Sequence, residues 1–167
     1  MRLQALGAMA LLAMAIAPAR AAPGDTSGNT PENTYVNQRF GYVIDWPAGW
    51  VAEPEAENGD GRVFHPRGSS VRAAAWGAYN SLEQTPAQML AMNAEDCKGA
   101  PLAYRVVKPK LVAFSCRVGP DVLYQKTLIR SDVITSFRMT YPAAEAARWE
   151  PVVQRMAGSM HAGTPEE

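Results

Sequence analysis

Two tryptophans and one aspartate are the residues of this sequence best placed to contact a ligand. Trp50 and Trp76 lie outside the alternating stripe of the first strand, and a surface tryptophan can stack on the face of a sugar ring. Asp60 belongs to an acidic stretch near a turn, where carboxylate oxygens can bind Ca²⁺. Trp50, Trp76 and Asp60 are therefore the candidate ligand-binding residues.

The acidic stretch has a simpler explanation as a hairpin. Its sequence, EPEAENGDG, does not space its oxygen ligands as an EF-hand loop does. Its dipeptides Asn58-Gly59 and Asp60-Gly61 are typical of tight turns. A solvated hairpin is favoured over a Ca²⁺ site, and no metal-binding residue is predicted.

The sequence contains little that could support catalysis. Its two histidines, His65 and His161, are too few for clustered zinc ligands of the usual spacing. It has neither a Gly-x-Ser-x-Gly elbow nor a glycine-rich phosphate loop. A nucleophile formed by Cys116 and His65 would require both cysteines to be reduced. No catalytic or cofactor-binding residue is predicted, although a hydrolase built from scattered carboxylates stays open.

The N-terminus has the parts of a secretory signal peptide. Arg2 supplies a positive charge, an apolar run follows, and the triplet Ala19-Arg20-Ala21 provides a small-x-small cleavage pattern. The apolar run is short for a membrane span. We expect residues 1–21 to be a signal peptide and the mature chain to be soluble, in the periplasm or outside the cell.

The charge balance argues against two classes of partner. The sixteen basic and sixteen acidic residues cancel, and cleavage after Ala21 removes two arginines, which leaves a net charge of −2. Nucleic acids and anionic membrane surfaces both select clustered basic residues. We expect no nucleic-acid binding and no stable membrane insertion after cleavage.

Export also determines the chemistry of the two cysteines. In an oxidising compartment an even pair predicts a disulfide, here between Cys97 and Cys116. Cys97 falls on the apolar face of a predicted helix, and Cys116 falls on an apolar strand face. The bridge would fasten that helix to the sheet; the alternative is a reactive thiol.

The mature chain divides into a linker, a domain and a tail. Residues 22–34 are rich in Pro, Gly, Ser, Thr and Asn, a composition typical of a flexible linker. Residues 35–160 carry the periodic apolar pattern of a single domain. Residues 161–167 are expected to form a disordered tail.

Apolar periodicity predicts an α+β fold. Tyr42, Ile44 and Trp46 share one strand parity, so we expect this aromatic stretch to be core rather than a stacking platform. Strands, a helix, three further strands and a final helix follow in order. This order predicts an antiparallel sheet of about six strands with helices packed on it.

Both predicted helices have recognisable starts. Thr85, Pro86 and Gln88 form a capping box with proline at the first helical position. Pro151 would break a helix interior, so the final helix is expected to begin there, after a separate short helix.

Several short segments also resemble a known fold group; they are Arg39–Pro47, Asn58–Gly61, Phe64, Tyr124–Lys126, Tyr141–Pro142 and the Pro-Val-Val of the last helix. Together they resemble small secreted bacterial proteins of uncharacterised function with the PsbP/DcrB-like fold, an α+β sandwich also found in a nuclear Ran-binding factor. The resemblance implies that fold over roughly residues 35–160. It also implies a binding or accessory role, which most known members of the group have, and it supplies no shared catalytic motif to carry over.

The sequence therefore favours an exported, non-enzymatic module that binds an envelope protein or another envelope component, without a cofactor. Two alternatives remain: a hydrolase with a site of scattered carboxylates, and a Ca²⁺-binding or carbohydrate-binding protein.

Overall fold

The computed structural model describes residues 32–163. The predicted signal peptide, the linker up to residue 31 and residues 164–167 lie outside the described part of the chain. None of the described helices is long and apolar enough to cross a membrane.

The described chain forms strands, two α-helices and two short 3₁₀ turns. The strands are β1 (Glu32–Asn37), β2 (Tyr42–Pro47), β3 (Trp50–Ala52), β4 (Gly61–Pro66), β5 (Arg72–Tyr79), β6 (Leu102–Lys108), β7 (Leu111–Val118), β8 (Asp121–Arg130), β9 (Val133–Pro142) and β10 (His161–Ala162). The helices are α1 (Pro86–Asn93) and α2 (Ala146–Ser159), and the 3₁₀ turns are Ala94–Cys97 and Ala143–Glu145.

The strands form two antiparallel sheets, which confirms the α+β class. The larger sheet has seven strands in the order β3-β4-β5-β9-β8-β7-β6, and the smaller has the order β1-β2-β10. The predicted sheet of about six strands corresponds to the seven-stranded sheet, and the structure adds the short or edge strands β1, β6 and β10 to those expected. The extra strands are short, or lie at sheet edges where alternation of apolar residues is weak.

The boundaries of the predicted linker and tail differ from the structure. Strand β1 begins at Glu32, three residues before the expected start of order, and its six residues pair with β2. His161 and Ala162 were expected in a disordered tail but pair with Val43 and Tyr42 of β2. Backbone pairing holds both segments, and it needs no apolar pattern in the sequence.

The seven-stranded sheet is covered on both faces. Leu123 and Tyr124 are neighbours in β8 and therefore point to opposite faces. Leu123 joins the cluster beneath α1, whereas Tyr124 packs against the larger core formed with α2 and the small sheet. Tyr42 and Ile44 are completely buried in that larger core, as the strand parity predicts.

Helix α1 begins as predicted but ends at Asn93, so Cys97 lies in the 3₁₀ turn after it rather than on the helix. Thr85 accepts a hydrogen bond from the Gln88 backbone, and the Gln88 side chain accepts one from Thr85 N–H, which completes the capping box. The Cys97–Cys116 bridge, with 5.9 Å between its Cα atoms, connects the following 3₁₀ turn to β7. The predicted disulfide is therefore present.

The predicted start of the last helix is wrong. Pro151 lies inside α2, which begins five residues earlier at Ala146. The turn before Pro151 is held by Trp149, which is 5% exposed and donates a hydrogen bond from Nε1 to the carboxylate of Glu145. Burial of this ring offsets the backbone hydrogen bond that proline cannot donate.

Replacing both Cys97 and Cys116 by alanine is expected to lower the free energy of unfolding by roughly 3 kcal/mol, because the bridge closes a loop of about twenty residues. Urea unfolding of the oxidised protein and the double variant tests this. Equal stabilities would show that the bridge constrains the unfolded chain little.

Gly77→Ala is expected to destabilise the protein by about 1–3 kcal/mol through overpacking. A Cβ atom at Gly77 would lie 2.2 Å from Cγ of Phe40, which is itself 4% exposed. The matched control is Gly158→Ala in α2, where a Cβ would meet nothing within 4 Å. Alanine there should be neutral or stabilising. Equal effects of the two substitutions in thermal unfolding would contradict the close contact.

Candidate functional site

The structure brings two of the three predicted ligand-binding residues together. Trp76 of β5 and Asp60, just before β4, line one open groove of about 500 Å³ beside Glu53. Trp50 lies apart from them and packs against the core, with its ring centroid 6.1 Å from that of Trp149.

The two acidic side chains of this first groove named above already have partners. The carboxylate of Asp60 accepts a hydrogen bond from Arg39 at 2.7 Å, and that of Glu53 pairs with Arg72. The guanidinium carbon of Arg138 lies 5.7 Å from the Trp76 ring centroid. Within residues 32–163, no group of three or more His, Cys, Asp or Glu side chains is arranged to hold a metal ion.

A second groove, which we call the tyrosine groove, has a different character. It lies between the sheet and α2, has a volume of about 320 Å³, and is lined by Tyr104, Ser115, Tyr124, Tyr141, Glu150, Val153 and Gln154. Ligand pockets generally occupy roughly 300–1,000 Å³. The tyrosine groove is therefore large enough for a small ring compound.

Strand register and helix periodicity assemble this groove. Tyr104, Ser115 and Tyr124 stand opposite one another on β6, β7 and β8, so their side chains share one face. The rings of Tyr104 and Tyr124 are stacked, with centroids 6.3 Å apart. Glu150 and Gln154 are four residues apart on α2 and face the strands from the same side of the helix.

The polar side chains of the tyrosine groove have no hydrogen-bonding partner among residues 32–163. This holds for the hydroxyl groups of Tyr104, Ser115, Tyr124 and Tyr141, and for the side chains of Glu150 and Gln154. Groups that point into a groove without an internal partner are bonded to solvent or free to bond a ligand. In this respect the tyrosine groove differs from the groove at Trp76.

Two phenols of this groove, those of Tyr124 and Tyr141, have a raised pKa and stay neutral at ordinary pH. Burial, and then the neighbouring Tyr104, raise the pKa of Tyr124 to about 12. Burial, and then the negative charge of Glu150, also raise the pKa of Tyr141 above its usual value. Each neutral phenol can both donate and accept a hydrogen bond.

The strand beside the groove, β6, is the last strand of the seven-stranded sheet. Tyr104 is 47% exposed on one side of this strand, and Val107 is 39% exposed on the other. Among the described residues no further strand pairs with β6. Its outer backbone N–H and C=O groups can therefore pair with another extended chain.

Sequence reasoning did not identify the tyrosine groove. Its members lie on four strands and one helix, far apart in the sequence, and only strand register brings them together. One signal was available for Tyr141, which shares a strand parity with Phe137 and Met139 on β9. Tyr124 gave no such signal, because β8 carries apolar residues on both parities. The parity of Tyr141 indicates a core position, and the groove arises because the core is incompletely filled there.

No family model matches the sequence, and no curated protein matches it. Solved structures do resemble it. The solution structure of cyanobacterial PsbP (CyanoP) from Synechocystis sp. PCC 6803 is 12% identical with a TM-score of 0.59, covering 85% of this chain and 98% of that one. The Saccharomyces cerevisiae Ran-binding protein Mog1p is 9% identical with a TM-score of 0.60, covering 80% and 96%.

A crystal structure from Bacteroides thetaiotaomicron is 13% identical with a TM-score of 0.52, and this chain spans about half of that longer protein, 49% of its length. At these identities the similarities concern the fold. They confirm the resemblance to the PsbP/DcrB-like group, and the chain has a PsbP-like α+β fold.

Ionisation of Tyr124 gives a pH-dependent prediction. A folded-state pKa of about 12 exceeds the unfolded value near 10, so this residue stabilises the fold fully below pH ~10 and loses that contribution as the pH rises toward 12. Tyr124→Phe should therefore lose less stability than the parent between these pH values. Urea unfolding across this range tests it.

The matched control is Tyr79→Phe, at a tyrosine that is 57% exposed. This variant removes a hydroxyl group at an exposed position, so a change that it shares with Tyr124→Phe is not an effect of burial. Identical pH dependence in Tyr124→Phe and the parent would contradict the effect of burial on Tyr124.

Proposed function

We propose that this chain is an exported, non-enzymatic module that binds an envelope protein by adding an extended segment of that partner to β6. The observation that carries the proposal is the outer edge of β6, with which no further strand of residues 32–163 pairs. The seven residues of β6 expose large apolar side chains on both sides, Tyr104 on one and Val107 on the other.

Strand addition uses two sources of binding energy. Backbone hydrogen bonds to the outer edge of β6 supply affinity for any extended segment, and side-chain contacts on either side supply specificity. Tyr104 and Val107 offer one contact surface on each side of the sheet. Arg105 and Lys108 on the same strand favour a partner segment that carries acidic residues.

Two further observations support export and binding. The buried Cys97–Cys116 bridge is typical of proteins that mature in an oxidising compartment. The yeast protein of this fold is a Ran-binding protein, so the fold is compatible with protein recognition. Fold similarity does not identify the partner of this chain. The side chains of β6 would determine which partner binds.

Placing a photo-crosslinking amino acid at Val107 in the exported protein tests the proposal in cells. Irradiation and mass spectrometry should recover one recurrent envelope protein, with the linkage in an extended segment. The control position is Glu57, which is exposed in the loop between β3 and β4 at the opposite edge of the sheet.

A charge at the edge supplies a second comparison. For this comparison the crosslinking amino acid is placed at Lys108, and the protein is prepared with and without the substitution Val107→Lys. The substitution should reduce recovery of the partner several-fold, because the ammonium group disrupts apolar contact and strand addition. Equal recovery from the Val107 and Glu57 positions, or no effect of Val107→Lys, would refute docking at β6.

A further inference from the structure

The tyrosine groove and the groove at Trp76 differ in how many of their polar groups are available. At Trp76 the charged neighbours Asp60, Glu53 and Arg138 are engaged with other side chains. In the tyrosine groove, six hydrogen-bonding side chains converge on one space without a partner among residues 32–163. The second groove is therefore the stronger candidate for a small-molecule site.

We propose that the tyrosine groove binds a pyranose ring of an envelope carbohydrate. A sugar ring presents hydroxyl groups around its edge and C–H groups on its faces. The groove offers both kinds of surface, because its lining combines hydrogen-bonding side chains with three tyrosine rings.

The mixture of donors and acceptors favours a hydroxylated ligand over a charged one. The four hydroxyl groups can donate or accept, the amide of Gln154 can do both, and the carboxylate of Glu150 accepts. An amine could use only the acceptors, because it has no lone pair when protonated. An anion would face Glu150, and no lysine or arginine lines the groove.

The exposed ring of Tyr104 supplies a stacking surface. One side of this ring is stacked on Tyr124, and the side chain remains 47% exposed. An aromatic ring on an exposed strand face is the usual support for the apolar face of a sugar. Val153, a buried residue of α2, supplies an apolar part of the lining.

The site shares Tyr104 with the docking edge proposed above, but the two proposals are tested at different residues. Val107 points to the opposite side of β6 from Tyr104 and does not line the groove. Crosslinking at Val107 therefore reports on the protein partner, whereas sugar binding reports on the groove. Failure of one proposal is distinguishable from failure of the other.

The test is an NMR titration of the folded, oxidised protein with a panel of disaccharides: cellobiose, maltose, trehalose and N,N′-diacetylchitobiose. We expect at least one to give saturable shifts at millimolar concentration, confined to amides near Tyr124, Ser115 and Gln154. Linear glucitol, which has hydroxyl groups but no ring face, should give no saturable shift. N-acetyl-lysinamide, a cation, is titrated in the same way and should bind more weakly than the best sugar.

Two substitutions locate the site. Tyr124→Phe and Gln154→Leu each remove hydrogen-bonding groups, and each should weaken binding about tenfold, as expected for a lost ligand hydrogen bond. Tyr79→Phe, outside the groove, should bind as the parent does. Thermal unfolding of each variant shows whether it remains folded.

The proposal is overturned if none of the disaccharides saturates, if glucitol or N-acetyl-lysinamide binds as well as the best sugar, or if folded Tyr124→Phe and Gln154→Leu both bind with the parent's affinity.

Discussion

Alternation of side chains along β7 and β8 is the constraint on which the rest of this structure depends. Consecutive residues of these strands serve different layers: Leu123 and Cys116 pack toward α1, whereas Tyr124 and Ser115 face α2. A shift of one residue in the pairing would exchange these two sets. The disulfide, the cluster beneath α1 and the tyrosine groove would then be lost together.

The parts of the fold that could be predicted are those with local physical causes. The capping box at Thr85 needs only residues three apart, and the cysteine pair needs only an oxidising compartment and two compatible faces. The position of Pro151 could not be predicted locally, because a buried tryptophan on the previous turn decides it. Strand β10 likewise depends on pairing with residues over a hundred positions away.

The candidate sites show the same limit. Trp76 and Asp60 were identifiable by residue type, but their neighbours were not. Arg138 lies over the ring of Trp76, and Arg39 pairs with the carboxylate of Asp60. The tyrosine groove requires the register of four strands and the face of a helix. The fold shared with CyanoP and Mog1p supplies this framework, whereas the groove is defined by side chains of this chain.

The small sheet also determines how the protein responds to mechanical load. Strands β1 and β10 flank β2 and both run antiparallel to it, so a pull between residues 32 and 162 would shear the sheet along its strands. β1 resists with six residue pairs and β10 with two. Tension would therefore detach β10 from β2 first, which lengthens the chain between α2 and residue 162. β1 and the seven-stranded sheet would stay intact.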